Sequence, residues 1–227
     1  NHVERRVTAR MRKSHMKVLA QTHISEINDN NHHNYDQYRY LDFTEVVEEL
    51  QKLAKDYPDY VKIDTAQKLY GLPSPGGYCS KDKKPCEHYI VFLTNHKIDK
   101  KNKPNVYISG EVHGNERVGP TATIELIRLL VNNLINPWIK YLLDTRYIVI
   151  TPMTNPHGYY DNVREELLIK DEDAAILTKD LYLKTHKDIN RDFPYLTKPD
   201  SCMESIGARV VNELYLNHLF LTSLSLH

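Results

Sequence analysis

The sequence lacks several features that would each point to a particular class of protein. Its 30 Lys and Arg residues balance its 30 Asp and Glu residues, so the formal net charge is zero. Charge therefore gives no reason to expect nucleic acid or an anionic membrane surface as a partner. No run reaches the roughly 18 apolar residues that a membrane span requires. Only three cysteines are present, and their odd number argues against a disulfide framework. With 227 residues, of which 41% are hydrophobic, the chain can form one globular domain with a sizeable core.

Two of the cysteines, Cys79 and Cys86, bracket a polar loop between two predicted strands. A disulfide there would close the loop and would indicate an oxidising compartment, such as the secretory pathway. Two free thiols would instead fit a cytoplasmic protein. Both alternatives remain open, with secretion slightly favoured. The chain begins at Asn1, without an initiator Met or a signal peptide, which predicts a processed or excised piece of a longer protein.

The composition changes after residue 38. Residues 1–38 combine a basic segment with a segment rich in Asn and His, and they contain little that a core could bury. We therefore expect an N-terminal extension over 1–38 that is flexible or partly helical. A single folded domain is expected over 39–227.

Hydrophobic patterns within 39–227 alternate between strands and helices. Asp42 and Glu45 predict a capping box at the start of a helix that Pro58 ends. Runs of β-branched and aromatic residues predict strands, and apolar stripes at helical spacing predict further helices. The predicted strands span about 60–66, 89–94, 105–109, 145–155 and 219–226, and the further helices about 119–135 and 202–218. This alternation predicts an α/β domain with a mostly parallel or mixed sheet.

A polar cluster, "GEVHGNERVGP", follows the predicted strand 105–109 and contains His113 and Glu116. Ligands of open α/β sheets gather outside the carboxyl ends of the strands, so this position favours a metal site over a surface turn. Imidazole nitrogen and carboxylate oxygen both suit Zn²⁺. Gly114 between them would allow a tight turn. A second His-x-x-Glu pair, His23 and Glu26, lacks such a position and is attributed to chance.

A second polar cluster, "HKDINRDFPY", contains Asn190 and Arg191. The planar guanidinium of Arg191 could hold a carboxylate through two hydrogen bonds, and the amide of Asn190 could add another donor. The alternative is an Asp–Arg ion pair in a surface turn, which would contribute little to stability.

Four segments together carry a resemblance to a known family. In their order and spacing, "GEVHGNERVGP", "TPMTNPHGYY", "DINRDFPY" and the final "LSLH" resemble motifs of the zinc metallocarboxypeptidases of the carboxypeptidase A/B type. The resemblance runs from about Tyr40 to His227. It implies one α/β domain with a mixed, eight-stranded central sheet flanked by helices. It also implies one Zn²⁺ per chain and peptide or protein C-termini as substrates.

The resemblance assigns roles to six residues. Three would be the zinc ligands: His113, Glu116 and His227. Arg164 would polarise the scissile carbonyl and stabilise the oxyanion, and a charged stretch at 165–187 that follows it looks like an insertion. Asn190 and Arg191 would bind the free C-terminal carboxylate of the substrate.

The catalytic glutamate, the substrate-capping tyrosine and the main specificity residue of the family all lie beyond the third zinc histidine. Because this chain ends at His227, we expect the first two-thirds of a catalytic domain, inactive alone and with apolar surface uncovered. Two other functions remain open. One is a zinc amidohydrolase or deacylase of related architecture, and the other is a non-catalytic module that binds peptide C-termini.

Overall fold

A computed structural model describes residues 39–169, 182, 184–194 and 202–227. The predicted extension, residues 1–38, lies outside these ranges, as do residues 170–181 of the predicted insertion.

The strands within the described ranges are β1 (Val61–Thr65), β2 (Tyr89–Leu93), β3 (Asn105–Ser109), β4 (Tyr147–Thr151), β5 (Glu166–Leu167), β6 (His186–Lys187) and β7 (Phe220–Ser225). The α-helices there are α1 (Phe43–Asp56), α2 (Ala66–Tyr70), α3 (Val118–Asn132), α4 (Pro137–Thr145), α5 (Pro156–Asp161) and α6 (Ile206–Asn217). Short 3₁₀ turns occur at Lys100–Asn102 and Ile189–Arg191.

Local sequence signals account for most of these elements. The predicted capping box forms at α1, where Asp42 Oδ1 accepts a hydrogen bond from Glu45 N at 2.9 Å and Glu45 Oε2 accepts one from Asp42 N at 2.8 Å. Helices α4 and α5 were not predicted. Both begin with an Asn cap followed directly by proline, at Asn136 and Asn155, which is a helix-start signal in the sequence.

Five strands form one mixed sheet in the order β1-β2-β4-β3-β7. The pairs β1–β2 and β2–β4 are antiparallel, whereas β3 is parallel to both β4 and β7. The described residues therefore contribute five strands to the central sheet, against the eight that the family resemblance implies. Strands β5 and β6 form a separate antiparallel pair.

Helices cover both faces of the sheet, as the buried residues of the central strand β4 show. Ile148 and Ile150 belong to a core shared with α1, α3 and α4, while Tyr147 and Val149 belong to a second core shared with α2 and α6. Burial of each large aliphatic side chain contributes about 1.5–3 kcal/mol. The predicted α/β domain with a mixed central sheet flanked by helices is thereby confirmed.

The β7 end of the sheet is less covered. Leu219, Leu221 and Leu224 are 81%, 70% and 53% exposed. This edge strand and the residue before it therefore carry exposed apolar side chains. No helix in the described ranges is both long enough and apolar enough to cross a bilayer.

Candidate metal and carboxylate site

The pairing of β3 with β7 brings two distant segments to the same edge of the sheet. Ser109 at the end of β3 is paired with Ser225 at the end of β7, and Leu226 N donates a hydrogen bond to Ser109 O at 2.9 Å. His113 follows β3 and His227 follows β7. Because the strands are parallel, their carboxyl ends meet, and the two histidines lie side by side with ring centroids 4.6 Å apart.

The potential ligand atoms of His113, Glu116 and His227 all lie within 4.8 Å of one another. His113 Nδ1 is 2.9 Å from Glu116 Oε1, and His227 Nε2 is 3.9 Å from Glu116 Oε2. Glu116 Oε2 is buried and has no hydrogen-bond partner among the described residues. Such an atom is costly to bury unless a cation or donor reaches it. Two imidazoles and one carboxylate are a donor set that suits Zn²⁺, so these three residues could hold the ion.

Gly114 is required for a different reason from the one predicted. A Cβ atom at this position would lie 2.0 Å from the carbonyl carbon of Gly158, so the two backbones approach too closely for any side chain. Gly114 N also donates to Arg164 O at 3.3 Å. The loop between β3 and α3, residues 110–117, carries His113 and Glu116 and is called the ligand loop here. It is thus packed directly against the segment that carries Arg164.

Asp188 was missed by the sequence analysis and lies at the centre of the site. Its Oδ1 is 2.9 Å from His113 Nε2. When Nε2 of His113 carries the ring proton and donates it to Asp188, Nδ1 has a free lone pair that points toward Glu116. A metal ion beside Glu116 could accept that lone pair. Burial by itself would raise the pKa of Asp188, but the hydrogen bond from His113 and the positive charge of Arg164 lower it overall. The available signal was the carboxylate two residues before Asn190.

Arg164 lies beside the same carboxylates. Its NH2 donates to Asp188 Oδ2 at 3.3 Å, and its NH1 is 3.6 Å from Glu116 Oε1. The side chain remains 40% exposed, so the guanidinium borders the ligand cluster and is open to solvent on its other side. The structure therefore brings Arg164 to the three potential metal ligands.

Asn190 and Arg191 lie on the 3₁₀ turn Ile189–Arg191 and are exposed. Asp188 caps this turn by accepting a hydrogen bond from Asn190 N at 2.9 Å, so one carboxylate connects the turn to His113. Arg191 makes no ion pair with any described residue; its NH1 donates to Asn190 O at 3.1 Å. The alternative of an Asp–Arg surface pair is therefore not what Arg191 forms with the described residues.

Three glutamates near the site have other surroundings. Glu111 is completely buried, accepts a hydrogen bond from Asn155 N at 3.0 Å, and has a pKa that burial raises well above its usual value. Glu165 accepts a hydrogen bond from Tyr182 OH at 2.8 Å. Glu166 binds the N-terminus of α6. None of the three is assigned as a general base.

Space for a ligand lies next to these residues. A cleft of about 670 Å³ opens beside Glu116 and His227, within the size range of small-molecule and peptide sites. Its walls come from the ligand loop, the start of α3 and the end of the chain: Tyr40, Asn115, Glu116, Arg117, Val118, Gly119, Ala122, Leu226 and His227.

Of the two alternatives for Cys79 and Cys86, the structure has the disulfide, with its sulfur atoms 2.09 Å apart. The loop that it closes precedes β2, and both cysteines are buried.

Comparison with known proteins gives consistent matches. The profile of the zinc carboxypeptidase family matches residues 46–210. Carboxypeptidase Z of Mus musculus and that of Homo sapiens are each 33% identical over 97 residues, which is 42% of this chain and 14% of each relative.

Solved structures share the fold. A crystal structure of thrombin-activatable fibrinolysis inhibitor matches with a TM-score of 0.60 and 17% identity, covering 82% of this chain and 47% of that one. Carboxypeptidase A from Helicoverpa armigera matches with a TM-score of 0.57 and 20% identity, covering 82% and 45%. The chain thus spans less than half the length of these relatives. Since the family profile covers most of its length, the chain belongs to the zinc carboxypeptidase family.

Proposed function

We propose that this chain carries the metal-binding and carboxylate-binding parts of a zinc metallocarboxypeptidase, which hydrolyses the C-terminal peptide bond of peptides or proteins. The observation that carries the proposal is the convergence of His113, Glu116 and His227, whose ligand atoms lie within 4.8 Å of one another. A structural turn would not need two histidines and a carboxylate from strand ends that are more than 100 residues apart in the chain, with Glu116 and His227 separated by 111 positions. Family membership supports the same chemistry.

The residues around the cluster fit distinct parts of this reaction. A zinc ion held there would polarise the scissile carbonyl and lower the pKa of a bound water. Arg164, which borders Glu116 at 3.6 Å, would donate hydrogen bonds to the oxyanion that forms on the carbonyl. Asp188 would hold the Nε2 proton of His113 and thereby keep the ring in its ligating orientation.

Asn190 and Arg191 would bind the free carboxylate of the substrate. Both side chains are exposed, and Arg191 has no carboxylate partner among the described residues. A guanidinium fork and an amide fix a carboxylate in one orientation, so only the last residue of a peptide would be placed at the metal. No carboxylate in the described part of the chain is assigned as the general base.

Zinc titration and peptide binding test this function together. Purified protein should bind one zinc per chain, and the zinc-loaded protein should bind a fluorescent peptide with a free C-terminus but not its C-terminal amide. Failure to bind stoichiometric zinc would remove the metal site, and equal binding of both peptides would remove the carboxylate site. Binding without release of the last residue agrees with the expectation that this chain alone lacks the catalytic glutamate, whereas release would contradict that expectation.

The disulfide supports a location for the protein. Disulfides persist in oxidising compartments, so we propose that the protein is secreted or resides in the secretory pathway. Thiol alkylation of the protein isolated from its native source tests this. Protected Cys79 and Cys86 would agree with the proposal, and labelled thiols at both positions would contradict it.

A further inference from the structure

The N-terminus of α6 has no unsatisfied backbone donor, and side-chain oxygens accept all of its bonds. The first four N–H groups of a helix have no partner within the helix. Here Ser205 N donates to Asp192 Oδ2 at 2.7 Å, and Ala208 N donates to Ser205 Oγ at 3.3 Å. Ile206 N and Gly207 N donate to the two oxygens of Glu166, at 2.6 and 2.8 Å. Two carboxylates from outside the helix therefore bind three of the four groups.

In the sequence, these two carboxylates lie next to residues of the proposed substrate site. Glu166 lies two residues after Arg164, and Asp192 directly follows Arg191. Both carboxylates are fully buried, and Asp192 Oδ2 also accepts a hydrogen bond from Ser205 Oγ at 2.6 Å. The start of α6 is thus connected to both substrate-facing segments of the proposed site.

The start of α6 packs closely against the turn that carries Asn190 and Arg191. A Cβ at Gly207 would lie 2.6 Å from Ile189 Cδ1 and 2.7 Å from Thr154 O, so the helix start is packed against the 3₁₀ turn without room for a side chain. Lys187, on β6, is 3.5 Å from the second oxygen of Asp192 and adds a positive charge to that of the helix dipole. The hydrogen bonds, the helix dipole and Lys187 therefore all oppose the cost of burying negative side chains at this point.

The potential metal ligands are held differently. His113 and His227 follow β3 and β7, which are joined by backbone pairing from Asn105 to Ser109. Asn190 and Arg191 lie on a turn of three residues, and β5 and β6 pair over two residues each. Side-chain contacts must therefore supply the rigidity that backbone pairing does not supply on the substrate side.

We propose that Glu166 and Asp192 are positioning residues, which bind the N-terminus of α6 and thereby fix Arg164 and the Asn190–Arg191 turn in the orientation needed to receive a peptide carboxylate. Neither residue touches the substrate. The expected effect on peptide binding rests on the proposed function. The link between the two carboxylates, α6 and the substrate-facing segments can be measured without substrate.

The test uses Glu166→Gln and Asp192→Asn, which keep the size of each side chain and remove its charge and one acceptor. Two variants serve as controls. Glu204→Gln removes an exposed carboxylate that pairs with Lys187 at 2.9 Å but binds no helix N–H. Val210→Ala removes buried volume from α6 without altering its N-terminus, and so reports the effect of lost stability alone.

Hydrogen exchange gives the first readout. In Glu166→Gln and Asp192→Asn, amide exchange over 162–168 and 188–192 should accelerate at least about tenfold, because local opening becomes easier. Exchange over 105–109 should stay unchanged. Val210→Ala, compared at equal loss of global stability, should not accelerate the two segments selectively. The proposal is overturned if exchange is unchanged in both Glu166→Gln and Asp192→Asn, or if Val210→Ala accelerates it equally. This holds whether or not the protein binds peptides.

Ligand affinities give the second readout. Peptide affinity should fall about tenfold, and zinc affinity should fall less, because β3 and β7 hold the metal ligands and only Asp188 connects His113 to the turn. Equal losses of zinc and peptide affinity would indicate general unfolding and would contradict the proposal. If the parent protein binds no peptide, the proposed function fails, and the exchange result alone decides this inference.

Discussion

The two halves of the proposed site are built in different ways. The metal half consists of His113, Glu116 and His227, positioned by the parallel pairing of β3 with β7, and its first histidine is completely buried. The carboxylate half consists of Asn190 and Arg191 on an exposed 3₁₀ turn. Backbone pairing sets the position of the first half, whereas the second lies on a short turn that the buried carboxylate of Asp192 connects to the start of α6. We therefore expect mutations to affect the two halves separately, except at the residue that connects them.

The largest effect is expected for His113→Ala. It removes a proposed ligand from a site with three, so zinc affinity should fall by more than the roughly 100-fold that loss of a supporting hydrogen bond can cost. Competition with a chromophoric chelator measures this. His23→Ala, at the other His-x-x-Glu pair, is the matched control and should bind zinc like the parent protein. Retention of tight zinc binding in His113→Ala would contradict the ligand assignment.

Asp188→Asn should affect both halves, because Asp188 contacts His113 on one side and the Asn190–Arg191 turn on the other. We expect zinc affinity to fall about 10- to 100-fold, since the asparagine amide cannot replace the carboxylate that orients the ring. Peptide affinity should fall as well. The same chelator competition and peptide titration measure both, and a loss confined to one of them would show that Asp188 does not connect the halves.

Arg191→Ala should leave the metal half intact. Zinc affinity should not change, while affinity for a peptide with a free C-terminus should fall about tenfold or more through loss of a charge-assisted pair. Arg191→Lys should recover only part of this, because an ammonium group cannot donate two parallel hydrogen bonds. Fluorescence anisotropy with free and amidated peptides measures the difference. Full binding by Arg191→Ala would place the carboxylate site elsewhere.

The last prediction concerns the pH dependence of stability rather than binding. Burial raises the pKa of Glu166 to about 7, although its hydrogen bonds from Gly207 N and Ile206 N oppose the shift. The groups around it are His88, whose Nε2 is 3.9 Å away, with Asp192 and Arg209 also contributing charge. Because the folded-state pKa exceeds the usual value, this group stabilises the fold fully at low pH, and the contribution is lost as pH rises through about 7.

Urea unfolding at pH 5 and pH 8 checks this sign. The parent protein should lose about 2 kcal/mol more stability between these values than Glu166→Gln, which cannot ionise. His88 contributes with the opposite sign, because burial lowers its folded-state pKa to about 3 and only the unfolded chain protonates it near pH 5. This contribution is the same in both proteins and cancels in the comparison. An equal or larger pH dependence in Glu166→Gln would show that Glu166 is already charged at pH 5.

The sequence predicted the fold wherever local signals were strong. The strand at Asn105–Ser109 has the predicted bounds, and the capping box at Asp42 forms as expected. Helices α4 and α5 were not predicted, although each has an Asn-Pro start. They are short, at nine and six residues, and an apolar period over so few positions is hard to distinguish from a loop.

For the site, residue types and order in the sequence identified the candidates, and three-dimensional contacts added what no spacing encodes. Asp188 was overlooked because a carboxylate in a polar turn is ordinary until its distance to His113 is known. Glu166 looked like part of a charged stretch, yet it is completely buried against the start of α6. Burial and partners of such groups depend on elements that are distant in sequence.

The amino-acid sequence by itself determined the α/β class, the helix and strand signals and the motifs that identify the family, because these depend on local patterns. The family resemblance named His227 as a partner of His113 and Glu116, but only the tertiary structure brings them together. The parallel register of β3 and β7 sets the distance between Glu116 and His227, which are 111 positions apart. The tertiary structure also decided that two buried carboxylates bind the first turn of α6. Both outcomes result from packing and backbone pairing between remote segments, which no local window of the sequence contains.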